Sequence, residues 1–176
     1  MKRRHFVASL LGWAALAARA AHAAEDESSL LTSIAVLDFE LNDLTLAPND
    51  AAEVARTASI GPMLRDVLAT TPGFRVMPVS AEAQRAADKG AGYLFDHPEA
   101  AAELGKSVGA DWVAVGRVHK ASFLFVYFKV HLVDARSGEL AADLIVEVKG
   151  PQQALTRRGV ESLARQIIEA TQQRAR

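Results

Sequence analysis

Histidines and carboxylates are the residues of this chain that could supply acid–base or metal chemistry. Three histidines follow the amino-terminal segment, at His97, His119 and His131. No two of them are four residues apart, the spacing that places two metal ligands on one helical face. The strand pairing derived below places His131 opposite Asp143. A carboxylate can orient an imidazole as a general base or a metal ligand, but such a pair also occurs as an ordinary half-exposed cross-strand contact.

Two further positions could bind a ligand. His119 and His131 fall on adjacent predicted strands, so the two imidazoles could approach one another. Asp38 follows the first predicted strand, and ligands of α/β sheets often bind at that end of a strand; the same aspartate could instead be a turn or cap residue. The residues thus support a small-molecule site around Asp38 and, as a further hypothesis, a hydrolase or metal site at His131 with Asp143.

Several classes of chemistry lack their motifs in this sequence. The chain has no cysteine, which excludes thiol catalysis, thiolate metal sites and haem attachment of the c type. The glycines of Gly90–Gly92 follow no predicted strand and do not form a phosphate-binding loop, and neither Ser122 nor Ser137 has the context of a nucleophile elbow. We therefore predict a protein without enzymatic activity, without a cofactor and without a bound metal.

The aromatic residues Phe123, Phe125 and Tyr127 are candidates for an interaction surface, because they alternate along one predicted strand. If no helix covers their face of the sheet, they form an apolar patch of the kind that marks a protein contact. If a helix packs over both faces, the same residues belong to the core. The sequence leaves both alternatives open.

The elements that position these residues follow from the hydrophobic pattern. Strands are predicted at residues 34–39, 74–79, 111–120, 123–134 and 139–149. Helices are predicted at residues 51–70, from 80 to about 90, at 96–108 and from 151 onward. Gly61-Pro62 should kink or split the first helix, and 42–50 is predicted as a loop. The order βαβααβββα predicts an α/β fold with a mixed five-stranded sheet and packed helices.

The last two strands allow a prediction of register. Their alternating apolar residues, which include Leu124 on the first strand, must face one core, so a slip by one residue is excluded. A three-residue loop, Arg136–Gly138, with Gly138 at positive φ, satisfies this condition. The pairs that result are His131 with Asp143, Lys129 with Ile145, and Tyr127 with Glu147.

The amino terminus has the three parts of a secretory signal. A basic start, Met1–His5, precedes an apolar run of about 13 residues and the small-x-small sequence Ala21–Ala23. We predict a cleavable signal peptide at 1–23, cut between Ala23 and Ala24. The run is shorter than the roughly 20 residues of a membrane-spanning helix, although an uncleaved anchor is the alternative. The paired arginines leave the general secretory and the twin-arginine routes open.

Cleavage would leave one domain's length of chain. We expect a flexible arm at 24–32 and a single domain at 33–173. The signal takes four basic and no acidic residues, so a net charge of −1 becomes −5. An acidic domain has no general attraction to nucleic acid or anionic lipid. We expect no nucleic-acid partner, no membrane span after cleavage, and a periplasmic or envelope protein as partner, with the oligomeric state open.

Several strand motifs resemble a known group of bacterial envelope domains. Ile34–Phe39, Gly109–Gly116, Val133-Asp134 and Ser137–Glu139 are similar to the TolB amino-terminal and CsgG-like group. Within that group, the chain is most similar to an uncharacterised family of predicted secreted bacterial proteins, over residues 33–168. The resemblance implies an α/β sandwich and an envelope location, but no activity. Relatives often carry a cysteine pair before the third strand, and this chain does not.

These observations lead to one principal hypothesis and one alternative. The principal hypothesis is an exported, periplasmic, non-enzymatic accessory or assembly factor of the cell envelope, acting by protein contact. The resemblance implies a periplasmic oxidation system as another setting, because some relatives look associated with one. The alternative is a small-molecule-binding protein with its site around Asp38.

Overall fold

The computed structural model describes residues 31–46 and 50–174. The predicted signal peptide at 1–23, its cleavage site between Ala23 and Ala24, and almost all of the predicted arm at 24–32 lie outside the described residues. The compact unit that begins at Thr32 contains all the elements below. None of its described helices is long and apolar enough to cross a membrane.

The described residues form a mixed sheet with helices on both faces. The strands are β1 (Thr32–Val36), β2 (Glu40–Asp43), β3 (Phe74–Met77), β4 (Trp112–Lys120), β5 (Phe125–Asp134) and β6 (Leu140–Lys149). The helices are α1 (Ala51–Ala69), α2 (Ala81–Ala87), α3 (Tyr93–Asp96), α4 (Pro98–Ser107) and α5 (Gln153–Arg174). The strand order is β3-β1-β4-β5-β6, with β2 also paired to β4. The predicted α/β class is confirmed, although the sheet has six strands instead of five.

The additional strand, β2, continues the line of β1 along the same edge of β4. Val36 pairs with Ala114 and Glu40 pairs with Arg117, both in the parallel direction. The four residue steps from Val36 to Glu40 therefore lie opposite only three steps on β4, from Ala114 to Arg117. Such an extra residue in one strand is a β-bulge. The loop predicted at 42–50 is wrong at its start, because residues 42 and 43 belong to this strand.

The bulge turns Phe39 into the sheet core, and a glycine makes room for it. Phe39 is buried, and a Cβ atom on Gly116 would lie 2.3 Å from the Phe39 ring. A real Cβ cannot occupy that distance, so the aromatic ring needs glycine at this position of β4. The same interruption of the strand contains Asp38.

Helix α1 is continuous through Gly61-Pro62, so the split predicted there is wrong, while the kink stays a prediction. A Cβ on Gly61 would lie 3.2 Å from the Asp38 carboxylate and 3.3 Å from its Cα. The glycine therefore allows the helix to approach the bulge closely. The buried side chains of α1 are those of Glu53, Thr57, Ile60, Leu64 and Leu68. Val54, although apolar, is exposed.

Two hydrophobic clusters lie on opposite faces of the sheet. Helices α1 and α5 cover the first face, where Phe128, Leu132, Leu163 and Ile167 are fully buried. Helices α2, α3 and α4 cover only part of the second face, over residues that include Ala35, Val113, Val115 and Val133. The part of the second face formed by the β4–β5 hairpin end has no helix over it among the described residues.

The predicted hairpin register is confirmed. His131 pairs with Asp143, Lys129 with Ile145, and Tyr127 with Glu147. Gly138 has φ of 77°, as the loop requires. A bulge follows at Leu132/Val133.

Two details near this sheet differ from expectation. Leu124 is 70% exposed and not in the core, because β5 begins one residue later. The helix predicted at 96–108 begins later than expected, because Asp96 ends α3 and His97 is the capping residue of α4.

Candidate functional site

Two of the three aromatic residues around the start of β5 are exposed. Phe123 is 68% and Phe125 is 42% exposed, while Tyr127 is half-buried. Of the two alternatives from the sequence, the open face is correct and the helix-covered face is wrong. The covering helices contact the sheet near Val115 and Val133, several residues before the end of β4.

Two exposed leucines extend this surface at the hairpin tip. Leu124 and Leu44 are strongly exposed, at 70% and 61%. The backbone N–H of Leu44 donates to the carbonyl of Lys120 at 3.0 Å, which brings the end of β2 beside the hairpin tip. We call Leu44, Phe123, Leu124, Phe125 and Tyr127 the apolar patch. Sequence reasoning missed Leu44. Its position directly after the polar pair Asn42-Asp43 could have indicated an exposed apolar residue.

The tip that carries the patch is an ordered turn. The Ser122 hydroxyl accepts hydrogen bonds from the N–H groups of Leu124, at 3.2 Å, and Phe125, at 3.1 Å. The N–H groups of Ala121 and Ser122 donate to the carbonyl of Phe125. These bonds satisfy the polar backbone internally and hold the Phe123 and Leu124 side chains away from the core.

A buried ion pair supports the base of the patch. The Lys120 Nζ lies 2.9 Å from the Asp43 carboxylate, and these side chains are only 6% and 2% exposed. Burial acts to raise the pKa of Asp43, but hydrogen bonds from Thr45 and Lys120 outweigh it and lower that pKa to about 2. The Lys120 Nζ also lies 5.5 Å from the centre of the Phe123 ring, a distance at which cations attract aromatic faces.

The expected approach of His119 to His131 does not occur. His119 pairs with Tyr127 and His131 pairs with Val115, so the two histidines are four strand residues apart, or about 13 Å. Burial, with smaller contributions from the charges of Lys129 and Arg117, lowers the pKa of the His119 imidazole. His119 lies 6.3 Å from the Tyr127 ring, centre to centre, and so borders the apolar patch.

The predicted pair of His131 and Asp143 does form. The His131 Nε2 lies 3.6 Å from the Asp143 carboxylate. Its Nδ1 lies 2.8 Å from the Phe95 carbonyl, and the imidazole stacks on the Phe95 ring at 3.6 Å. Because one ring nitrogen and one ring face are engaged with α3, the imidazole joins that helix to the sheet. The described residues contain no group of three side chains arranged to hold a metal ion.

Asp38 is held by its neighbours in the bulge. Its carboxylate accepts a hydrogen bond from Arg65 at 2.9 Å. Gln84 bonds both backbone groups of Asp38, accepting from its N–H at 2.8 Å and donating to its carbonyl at 3.0 Å. These contacts connect α1 and α2 to the interrupted strand. Asp38 therefore has the structural role of a turn residue.

A polar cleft that sequence reasoning missed begins two residues after Asp38. It has a volume of about 250 Å³, and its lining includes Glu40, Asn42, Gly92, Asp96 and Arg117. Arg117 forms an ion pair with Glu40, and the Gly92 N–H donates to Glu40 at 2.7 Å. The lining residues are far apart in the sequence, so no local motif marks the cleft.

Comparisons with known proteins identify a family and a fold. The model of the DUF3280 family, described as "Protein of unknown function (DUF2380)", matches residues 32–168. No curated protein matches the sequence. Among solved structures, TolB from Acinetobacter baumannii is similar with a TM-score of 0.50 and 13% identity, over 80% of this chain and 28% of that structure.

Two further solved structures are similar over most of this chain. Lipoprotein GNA1162 from Neisseria meningitidis has a TM-score of 0.48 and 20% identity, over 78% of this chain and 96% of that one. LpoB from E. coli has a TM-score of 0.48 and 17% identity, over 68% of this chain and 58% of that one. At these identities the similarity concerns the fold alone.

The strand motifs resemble TolB-like domains, and the comparisons add a family for this chain and a similar fold in TolB. TolB shares the fold, but this chain spans only 28% of the TolB structure. The CsgG-like grouping and the secretion of the chain stay predictions. Since the family model covers residues 32–168, well over half of the sequence, this chain belongs to the DUF3280 family.

Proposed function

We propose that this protein is a non-enzymatic accessory or assembly factor that binds another protein through the apolar patch. The observation that carries the proposal is the exposure of Phe123, Leu124 and Phe125 on an ordered turn. Contiguous exposed apolar side chains are costly in water and mark contact surfaces. Aromatic residues are also enriched among those that dominate binding energy at protein interfaces.

The charges around the patch favour a protein partner over a nucleic acid. Lys120 is neutralised by Asp43, and the exposed Lys149 lies 3.3 Å from Glu147. Nucleic-acid surfaces instead require cations that are free to contact phosphates. An apolar centre with paired charges at its edge is typical of a protein interface.

The proposed location is the periplasm or cell envelope. The support is the sequence of the amino terminus, which predicts a signal peptide at 1–23 followed by an arm at 24–32 and a domain at 33–173. The strand motifs also resemble envelope domains. We propose that the partner is a protein of the cell envelope or of a periplasmic oxidation system.

Site-specific photo-crosslinking in the producing bacterium tests the proposal. A photoreactive phenylalanine analogue would replace Phe123 in one variant and Leu140 in a matched control. Leu140 is also exposed but lies at the opposite end of β6 from the patch. We expect a defined crosslinked species from position 123 and none from position 140. Equal crosslinking from the two positions would contradict the proposed surface.

The polar cleft supports a second candidate function, small-molecule binding close to Asp38. Arg117 is mostly buried and lies between two carboxylates, those of Glu40 and Asp96. Such a site would select a small polar molecule that both accepts from the guanidinium and donates to a carboxylate. A thermal-shift panel of metabolites tests it, and a hit must disappear in Arg117→Gln. A panel without any shift would remove this candidate.

A further inference from the structure

The β6 edge of the sheet is capped along only part of its length. Strand β6 is the last in the sheet order, so one side of its backbone has no neighbouring strand among the described residues. Arg174 donates to the carbonyl of Ala141 at 3.4 Å, and Gln166 donates to the carbonyl of Ile145 at 3.3 Å. Proteins commonly block exposed edges in this way, because an open edge pairs with other chains. No described side chain caps the edge beyond Ile145.

The open segment is Glu147–Lys149. Backbone groups alternate in direction along a strand, and the Ile145 carbonyl points away from β5. The N–H and carbonyl groups of Glu147 and Lys149 have the same direction as those of Ile145, because these residues are two and four positions further on. This end of β6 therefore offers unpaired donors and acceptors to an incoming strand.

A groove runs beside the open segment. It has a volume of about 250 Å³ and lies between the end of β6 and the first turns of α5. Its apolar lining consists of Val146, Val148 and Leu155. Alternate side chains of an added strand would point toward this lining. The groove thus fits an extended segment with apolar residues at every second position.

The charges of the groove favour an acidic occupant. Its charged lining residues are Lys149, Arg158 and Glu147, two cations and one anion. Glu147 pairs with Lys149 at 3.3 Å, which leaves the exposed Arg158 to attract a carboxylate. Arg157, the adjacent residue of α5, adds a second exposed cation, which lies near Glu161.

The open edge of β6 lies between the groove, on the α5 face of the sheet, and the apolar patch, on the opposite face. Phe125 of the patch pairs with Lys149 of the open edge, and the Lys149 Nζ lies 5.9 Å from the centre of the Phe125 ring. A strand that is added to this edge would therefore lie next to both surfaces. We infer that the partner adds an extended, acidic strand to β6 at Glu147–Lys149, an inference that rests on the proposed function for the existence of that partner.

The test uses two short synthetic peptides with the purified, isotope-labelled protein. In one peptide glutamate and valine alternate, and in the other lysine and valine alternate. We expect the acidic peptide to slow hydrogen exchange of the Glu147 and Lys149 amides and to bind at least tenfold more tightly than the basic one. N-methylation of the acidic peptide backbone should abolish the protection, since a strand binds by main-chain hydrogen bonds.

Two variants separate strand addition from simple charge attraction. Glu147→Pro removes an outward N–H, a change that edge strands tolerate. Ala141→Pro is its matched control, because Ala141 lies in the bulge at the far end of β6. We expect Glu147→Pro to weaken peptide binding about tenfold and Ala141→Pro to leave it unchanged. The amide spectrum of each variant checks that it is folded.

Charge reversal gives a second measurement should Glu147→Pro disturb the fold. Lys149→Glu with Arg158→Glu should invert the preference between the two peptides. The inference is overturned if the acidic peptide binds without protecting Glu147 and Lys149, or if the double variant keeps the original preference. The peptide titration needs no natural partner, so the two tests are independent. A failed titration would contradict strand addition at β6 but not partner binding at Phe123, and failed crosslinking at Phe123 would contradict partner binding there but not the titration result.

Discussion

The Lys120 ammonium group lies 2.9 Å from the Asp43 carboxylate, and the pair is almost fully buried next to Phe123. Asp43 is on β2 and Lys120 is the last residue of β4, so the pair joins the ends of two parallel strands. The hairpin tip that carries the apolar patch begins at the next residue. The pair therefore fixes the position from which Phe123 and Leu124 are presented.

Removal of one member of this pair should destabilise the protein strongly. Asp43→Ala leaves a buried, uncompensated ammonium group, which costs about 3–5 kcal/mol. Asp43→Leu combined with Lys120→Met removes both charges and should recover most of that loss. Urea denaturation measures both. Glu103→Ala is the control, because Glu103 pairs with Lys106 in an exposed setting and should cost under about 1 kcal/mol.

The same pair predicts a dependence of stability on acid. The pKa of Asp43 is lowered to about 2 in the folded protein, below the value of about 3.9 in an unfolded chain. The contribution of Asp43 to stability is therefore fully present above pH 4 and is lost as the pH falls through 2. Asp43→Asn should flatten the plot of the free energy of unfolding against pH between pH 4 and 2. An unchanged acid profile in that variant would contradict the assignment.

His119 predicts a second dependence at higher pH. Its folded pKa is lowered, so the unfolded chain binds the proton more tightly. Stability should fall as the pH decreases below about 6.5, the unfolded value. His119→Gln should remove this slope while the Asp43 slope at lower pH stays. The measurement is the urea midpoint of both proteins at pH 8 and at pH 5.5.

Gly116 should tolerate no side chain while Phe39 is present. Gly116→Ala places a Cβ 2.3 Å from the Phe39 ring, and such overpacking costs about 1–3 kcal/mol. Phe39→Leu should relieve the clash, so the double variant should be more stable than the sum of the two single losses. Simple additivity in this double-mutant cycle would show that the two residues do not interact.

The β5–β6 hairpin could be predicted from the sequence because two independent constraints agree there. The apolar alternation on both strands fixes which face is inward, and Gly138 provides the positive φ of the loop. Strand β2 could not be predicted in this way. Three of its four residues are polar, and all four are half-buried. The strand depends on a contact of Asp43 with Lys120, which is seventy-seven residues away in the chain.

The apolar patch illustrates a second limit. Phe123, Phe125 and Tyr127 alternate in the same way whether or not a helix covers their face of the sheet. Whether the face is covered depends on where α3 and α4 end. That in turn depends on contacts such as the stacking of Phe95 on His131. The polar cleft at Glu40 and Arg117 was missed for a related reason, since its walls meet only after folding.

The most direct test of the central claim is the affinity of the crosslinked partner, once purified, for patch variants. Phe123→Ser with Phe125→Ser removes the centre of the patch, and Leu140→Ser changes an exposed leucine at the other end of β6. Both are surface substitutions that should leave stability nearly unchanged. We predict that calorimetry shows at least a tenfold loss of affinity, about 1.4 kcal/mol, for the double variant and less than twofold for Leu140→Ser. Equal affinities for all three proteins would contradict a function through this surface.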